Sequence, residues 1–368
     1  MRVLFDHQIF GHHSYSGISR YLFEIASGMA VNHGHDVSVV APLYVNGYLR
    51  HSPAQLRVVG VPVPEFRRSA RLYRSINSLL AGPLMTALKP QIVHETYYSR
   101  HRLAPSSARI VVTVHDMVHE RLPHLFSPTD PTPMDKAAAV ARADHVICIS
   151  ENTRRDLIDL LDVAPEKTSV VRHGFSLVEA PEDASADLNS RRPFLLYVSY
   201  RGSHKNFMAL MRAYAASKML STEFDIVCFG GGPLGADERM AIEALGISGE
   251  RVSQVSGDDK VLASLYRQAA ALVYPSLYEG FGIPPLEAMS FGCPVACSNT
   301  SSLPEVVGDA AVMFDPDDLD EMRTAVERVA TEGSLRQTLV ERGQARIKQF
   351  SWRRCAEETL FAYRQALQ

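Results

Sequence analysis

The stretch YPSLYEGFGIPPLEA, Tyr274 to Ala288, decides how the chain is read. It continues an apolar run, AAALVYPS, that has the composition of a buried strand, passes through a glycine-bearing loop (Glu279, Gly280, Phe281, Gly282), and enters a helix with Pro284 and Pro285 in its first turn. Proline suits that turn because the first N–H groups of a helix lack intrahelical partners. Those donors, with the positive end of the helix dipole, favour an anion. Glu279 stands at the mouth of the loop, and Glu287 falls eight residues later, inside the helix. Two carboxylates therefore flank a phosphate-sized cradle. A carboxylate repels phosphate but accepts hydrogen bonds from vicinal sugar hydroxyls, so the pattern fits a sugar–diphosphate–ribose ligand. Taken alone, the same residues also fit an ordinary strand–loop–helix turn with two solvated glutamates.

Working outward, 368 residues are long for one core and natural for two domains. A net charge of −3, with no basic and aromatic stripe, gives no reason to expect nucleic acid. Cys148, Cys228, Cys293, Cys297 and Cys355 are odd in number and scattered in apolar runs. They read as reduced core residues rather than a disulfide framework or a zinc site. The opening MRVLFDHQIF shows no signal-peptide pattern, and no run approaches a membrane span of roughly 18 to 20 apolar residues. The expectation is a cytoplasmic protein, at most peripheral to the inner face of a membrane.

Residues 1–175 alternate short β-rich runs with helical patterns, which predicts a parallel sheet covered on both faces. The expected strands are Val3–Phe5, Asp36–Val40, Arg57–Val61, Ile92–Glu95, Ile110–Val114, His145–Ile149 and Ser169–Val171. The expected helices are Ser19–Asn32, Ser69–Leu88, Lys136–Ala143 and Glu151–Leu161. Ligands of such sheets bind beyond the carboxyl ends of the strands, so three loops matter. The first holds Gly17, where backbone can approach a ligand, with Ser19 as an N-cap and Arg20 as a cation; it also fits a plain strand-to-helix turn. The second opens with His115 and Asp116, where an imidazole either meets a sugar hydroxyl or bonds neighbouring backbone. The third begins at Ser150, an N-cap that would also line an acceptor. Arg67, Arg68, Arg71 and Arg74 lie on one helix face, suited either to anionic lipid or to solvent.

Residues 176–193 are acidic, contain proline and serine, and lack periodicity, as expected of a linker. A second alternation occupies residues 194–350, and residues 351–368 form an amphipathic helix with Trp352 near its start. Arg201 and Lys205, four apart after the strand Phe194–Tyr200, suit a diphosphate: Arg201 as a fork, Lys205 as a point charge. Gly230, Gly231 and Gly232 predict a tight turn after the next strand. Ser301 or Ser302 is expected to cap a short helix containing Glu305. Asp258-Asp259 and Asp317-Asp318 do not form the Asp-x-Asp of a metal-dependent diphosphate site, so no metal is expected.

The E-x7-E spacing within G-F-G-x-P-x-x-E-A-M, together with R-x-x-x-K/N, resembles the retaining glycosyltransferases of family 4 over nearly the entire chain. The resemblance implies an α/β fold of the GT-B kind: two Rossmann-like, doubly wound parallel-sheet domains facing across a cleft, with the last helix returning to the first domain. It implies that Glu279 holds the donor sugar, Glu287 the ribose, and the amides of Gly280, Phe281, Gly282 and Ile283 the diphosphate. Arg201 and Lys205 would assist departure of the diphosphate. His115 would lie beside the donor sugar, Gly17 by the donor diphosphate, and His115, Asp116 and Ser150 on the acceptor side. The expected activity is transfer of a hexose from a nucleoside diphosphate sugar to a saccharide or lipid-linked saccharide, without metal or cofactor. The opening FDHQIF…GISRY is similar to members described as mannosyltransferases, which favours GDP-mannose. The alternatives are a nucleotide-sugar-binding subunit without strong activity, or an epimerase or phosphorylase of GT-B architecture.

Overall fold

The computed structural model describes residues 1–11, 14–66, 69–175 and 192–368. These form two compact units, residues 1–174 with 350–368, and residues 175–349. The expected linker, apart from its last two residues, and both Arg67 and Arg68 lie outside the described residues.

The first unit runs β1 (Arg2–Phe5), α1 (Gly17–Asn32), β2 (Asp36–Tyr44), α2 (Gly47–Arg50), β3 (Arg57–Pro62), α3 (Ser69–Leu88), β4 (Ile92–Glu95), β5 (Arg109–Val114), α4 (Val118–Arg121), α5 (Thr132–Arg142), β6 (His145–Cys148), α6 (Glu151–Leu161) and β7 (Thr168–Val170). Its seven strands pair in parallel in the order β3-β2-β1-β4-β5-β6-β7. β4 and β6 are buried at every residue, as strands covered on both faces must be. Two helices begin earlier than expected. α1 starts at Gly17 because Ser16, not Ser19, is its N-cap: Ser16 Oγ accepts from Ser19 N–H at 3.1 Å, and Ser19 Oγ accepts from Ser16 N–H in return. α5 starts at Thr132, with proline in its first turn.

The second unit runs β8 (Phe194–Val198), α7 (Phe207–Ala216), α8 (Lys218–Glu223), β9 (Asp225–Phe229), α9 (Ala236–Ala244), β10 (Val252–Val255), α10 (Asp259–Gln268), β11 (Ala271–Tyr274), α11 (Ile283–Ser290), β12 (Val295–Ser298), α12 (Leu303–Val307), β13 (Val312–Phe314), α13 (Leu319–Thr331) and α14 (Gly333–Arg346). Its six parallel strands follow the order β10-β9-β8-β11-β12-β13. Leu195, Ile226 and Val273 from the strands pack with Leu210 of α7 and Val326 of α13 in its core. The last helix, α15 (Trp352–Ala366), packs on α1 within the first unit. Gly28 permits that approach, since a Cβ there would lie 3.2 Å from Ala356 Cβ. All five cysteines are buried and unpaired, and burial pushes each thiol up to about 12.

Each sheet reverses its strand order once, at β1/β4 and at β8/β11. Open α/β sheets bind ligands outside the carboxyl ends of the strands at such a reversal. The loops after those four strands are therefore the places to look.

Candidate active site

In the second unit the loops after β8 and β11 meet. Lys205 Nζ lies 2.7 Å from Glu279 Oε1, and both side chains are nine-tenths enclosed or close to it, at 13% and 11% exposure. The ammonium also stands 5.6 Å from the centre of the Tyr200 ring, whose hydroxyl is 2.8 Å from His204 Nε2. Tyr197 OH fastens this loop from below by donating to the carbonyls of Tyr200 (3.1 Å) and Lys205 (3.4 Å).

The loop carrying Glu279 is held by a segment whose role the sequence did not reveal. Ser301, in the left-handed region at φ 52°, accepts from Glu279 N–H at 2.9 Å. Ser302 Oγ lies 2.9 Å from the Glu279 carbonyl and 2.7 Å from that of Phe281. Ser302 does precede α12, but its side chain makes no cap bond there, so the expected capping duty is replaced by this bracing of the loop. Gly282 has φ 116°, and a Cβ on it would stand 2.8 Å from Leu303 Cδ2. Only glycine fits that turn, which then delivers Ile283 and the two prolines to the start of α11. Gly280 is half-buried and Phe281 buried. Glu287, on α11, accepts from Tyr266 OH of α10 at 3.0 Å.

Arg201 departs from expectation. Its Nε donates to Glu238 Oε1 at 2.8 Å, Nη1 to the Gly230 carbonyl at 3.2 Å, and Nη2 to the carbonyls of Gly232 (3.0 Å) and Pro233 (3.1 Å). The side chain is 3% exposed. Gly230, Gly231 and Gly232 all have positive φ, and in the turn they form the guanidinium fork satisfies the carbonyls of Gly230, Gly232 and Pro233 at once. The fork that was expected on a diphosphate thus holds the glycine turn after β9. Lys205 is the cation that meets Glu279.

In the first unit, His115 follows β5 and is 8% exposed; its backbone N–H donates to Tyr98 OH at 3.2 Å, and its ring sits edge-on to Tyr21 at 5.3 Å. Burial, then the nearby His173, lowers its pKa to about 3, so the imidazole is neutral. Asp116 lends its carbonyl to Lys136 Nζ at 2.9 Å, and that ammonium also donates to Glu120 at 2.8 Å. Ser150 is fully buried. It caps α6 by accepting from Thr153 N–H at 3.0 Å and donates to Thr153 Oγ1, so its hydroxyl is engaged within the first turn of the helix. No protein atom lies within 4 Å of a Cβ built on Gly17, so packing does not demand glycine there. Arg71 and Arg74 are exposed on α3, beside Leu72, Leu79 and Leu80 at 51%, 76% and 44% exposure. No helix among the described residues is long and apolar enough to cross a membrane, and no three His, Cys, Asp or Glu residues among them gather as metal ligands.

Residues 15–179 match the family model described as Glycosyltransferase Family 4, and residues 179–346 match that described as Glycosyl transferases group 1. The chain is 30% identical over 310 residues to the O-antigen chain mannosyltransferase B of Escherichia coli, an alignment covering 79% of each protein. Among solved structures, the sucrose-phosphate synthase of Thermosynechococcus elongatus superposes with a TM-score of 0.77 at 20% identity over 99% of both chains. An Anabaena protein solved with UDP and glucose superposes with a TM-score of 0.72 at 17% identity over 98% of both. At such identities the likeness concerns the fold, which is GT-B, with Rossmann-like sheets of seven and six strands.

Proposed function

The chain belongs to the family 4 glycosyltransferases, and on that premise we propose that it moves mannose, with retention, from GDP-mannose to a hydroxyl of a saccharide or lipid-linked saccharide. The observation that carries this reading is the Lys205–Glu279 contact at the β8/β11 reversal, immediately before the start of α11. A cation and a carboxylate at one point divide a nucleotide sugar between them. Lys205 takes the phosphate, and Glu279 takes the sugar hydroxyls. The backbone amides from Gly280 to Ile283 face the growing charge, and Glu287, oriented by Tyr266, receives the ribose hydroxyls.

In the reaction the bond from the anomeric carbon to the diphosphate breaks as the acceptor oxygen forms its own bond on the same face. The acceptor proton passes to the departing phosphate oxygen. Lys205 and the helix amides contribute by stabilising negative charge as it develops, which is where preorganised donors have most effect. That countercharge makes a metal unnecessary. His115, neutral and with its backbone N–H held by Tyr98, donates from its ring to a hydroxyl of the sugar, with Gly17 leaving room for the diphosphate and Asp116 near the acceptor. Arg201 acts one step back, by fixing the glycine turn. Mannose is favoured because the E. coli relative is named a mannosyltransferase. The exposed leucines and arginines of α3 suit a peripheral contact with an anionic membrane surface.

Thermal melting with GDP, UDP, dTDP and ADP tests the reading, because a ligand that binds only the folded state raises the melting temperature. A shift selective for GDP, and slow GDP-mannose hydrolysis that persists in a chelator, are expected. No shift with any of the four would overturn it in favour of another ligand, and hydrolysis that requires added Mn2+ would overturn the metal-free mechanism.

A further inference from the structure

The turn that leaves β5 is held by a buried ion pair with no part in the chemistry proposed above. Lys136 sits in the second turn of α5 and is 1% exposed. Its Nζ donates to the Asp116 carbonyl at 2.9 Å and to Glu120 Oε2 at 2.8 Å, and it stands 5.6 Å from the centre of the Tyr98 ring. Tyr98 is itself buried, and its hydroxyl accepts the backbone N–H of His115. We propose that Lys136 is a positioning residue: it clamps the His115–Asp116 turn, directly at one end and through Tyr98 at the other, and so sets where the His115 imidazole stands during transfer. The proposal rests on the transferase reading, in which that imidazole meets the sugar.

Stability alone does not account for this lysine. Taking an ammonium and a carboxylate out of water costs several kcal/mol per ion, and an apolar pair of similar volume often serves a fold as well or better. Glu120 offsets the cost incompletely, since its Oε1 is buried with no hydrogen-bond partner among the described residues. What the ammonium supplies, and an apolar side chain cannot, is a directed bond to the Asp116 carbonyl.

The turn needs that direction. α4 is four residues long, and Met117 at its N-cap makes no side-chain cap bond. The Asp116 carboxylate accepts Val118 N–H at 3.2 Å within the turn, which leaves the Asp116 carbonyl to be fixed from α5. The far end of α4 is anchored separately, by Arg121 Nε donating to Asp156 of α6 at 2.9 Å. With the His115 N–H on Tyr98 and the Asp116 carbonyl on Lys136, the backbone of both residues is held at its two ends. A reacting group displaced by about 1 Å costs up to about 10²-fold in rate, so such a hold has a catalytic consequence. The charge acts in the same sense. Burial chiefly, then His173, lowers His115 to about 3, and Lys136 adds to that lowering against the pull of Asp116.

The test is amide hydrogen exchange and GDP-mannose hydrolysis on the full chain. Lys136→Met/Glu120→Met removes the pair whole, so that neither charge is left buried alone. The amides of His115 and Val118 should then exchange about tenfold faster or more, while those of Ile110 to Val114 in β5 exchange as in wild type. Hydrolysis should fall about tenfold or more, with the GDP-induced melting shift unchanged. Glu120→Gln keeps an acceptor for Lys136 and leaves the Asp116 bond in place, so its exchange at His115 and its hydrolysis should match wild type. Exchange that rises throughout β5 in step with the turn would show a merely structural role and overturn the proposal. So would wild-type exchange or hydrolysis in the double variant, or a loss in Glu120→Gln as large as in the double variant. Should the double variant not fold, Lys136→Gln, shorter and uncharged, is read by the same criteria. If wild type does not hydrolyse GDP-mannose, the donor reading falls, and exchange at His115 and Val118 still decides the clamp.

Discussion

Lys205 and Glu279, 74 residues apart in sequence, meet at 2.7 Å where the second sheet reverses its strand order. A pair this enclosed is not a surface ornament, because removing one member leaves the other charged and poorly solvated. Lys205→Met should therefore lower GDP-mannose turnover by roughly 10²- to 10³-fold, the scale of losing one preorganised donor to a developing negative charge. Glu279→Gln should act mainly through the sugar, raising KM for GDP-mannose while GDP itself binds as before. Steady-state kinetics and GDP titrations on both variants measure the split. Equal loss of GDP affinity in Glu279→Gln would remove its sugar assignment.

Arg201 is expected to behave differently from Lys205 because its guanidinium is already engaged by Glu238 and three backbone carbonyls. Arg201→Met frees the carbonyls of Gly230, Gly232 and Pro233 and strands Glu238, so the glycine turn should loosen. The expected result is a lower melting temperature and a donor KM raised about tenfold, with a smaller change in kcat, as for a positioning defect. Adding Glu238→Gln to Arg201→Met should cost little more, since the two act as one unit. A kcat loss as large as that of Lys205→Met, with unchanged stability, would show that Arg201 reaches the diphosphate after all.

Much of this was legible in the sequence because both sheets announce themselves twice, through apolar runs of strand length and through the glycines and prolines that end them. The parallel order follows from strand alternating with helix. The Glu279–Gly282 loop could be read because Gly282 and two successive prolines leave few alternatives for the backbone. The partner of Arg201 could not be read, since a guanidinium four residues from a lysine has the same spacing whether it grips phosphate or three carbonyls. Glu238 lies 37 residues away, and no local pattern joins them. Ser301 and Ser302 escape a sequence reading for a related reason. Serine before a helix usually caps it, but here the Ser302 hydroxyl finds the carbonyls of another loop.

Glu287 and Tyr266 supply a further test. The tyrosine hydroxyl bonds one carboxylate oxygen and so fixes the plane of the other, which is what bidentate recognition of a ribose requires. Glu287→Ala should weaken GDP about tenfold, near 1.4 kcal/mol, and abolish any preference for GDP over its 2′-deoxy analogue. Tyr266→Phe should give a smaller loss in the same direction. Calorimetric titration of the two nucleotides against each protein decides it, and an unchanged preference in Glu287→Ala would end the ribose assignment.

The outward side of α3 carries Leu79 at 76% exposure with Leu72, Arg71 and Arg74 nearby. If that side rests on an anionic bilayer, Leu79→Glu should reduce cosedimentation with vesicles containing phosphatidylglycerol, and Arg71→Glu should do so more strongly at low salt than at high. Transfer to a short water-soluble acceptor should be unaffected by either. Equal sedimentation of both variants and wild type would detach the membrane from the reading.

Acid should unfold the first unit through histidines that burial keeps neutral. His94 donates or accepts at both ring nitrogens, to Tyr363 at 2.6 Å and Thr113 at 3.0 Å, and is lowered to about 3 by burial. His115 is lowered to about 3 and His173 to about 4, burial leading in each case. Each binds its proton more readily unfolded than folded, so the unfolded chain takes up protons first as pH falls below about 6.5, and stability rises with pH across that window. The slope contributed by each is at most about 1.4 kcal/mol per pH unit. Glu95, pushed up to about 7 by burial, and Glu24, also raised by burial, work against them, favouring the folded state at low pH, while burial lowers His7, His35 and His145 as well and adds to the histidines' side. Trp352 lies 4.9 Å from His173 and is the only tryptophan, so its fluorescence reports this unit alone. Its melting transition should fall steadily from pH 6.5 to 4. His94→Gln, which cannot ionise but keeps a donor and an acceptor, should flatten that fall, and an unchanged slope would place the acid sensitivity outside this cluster.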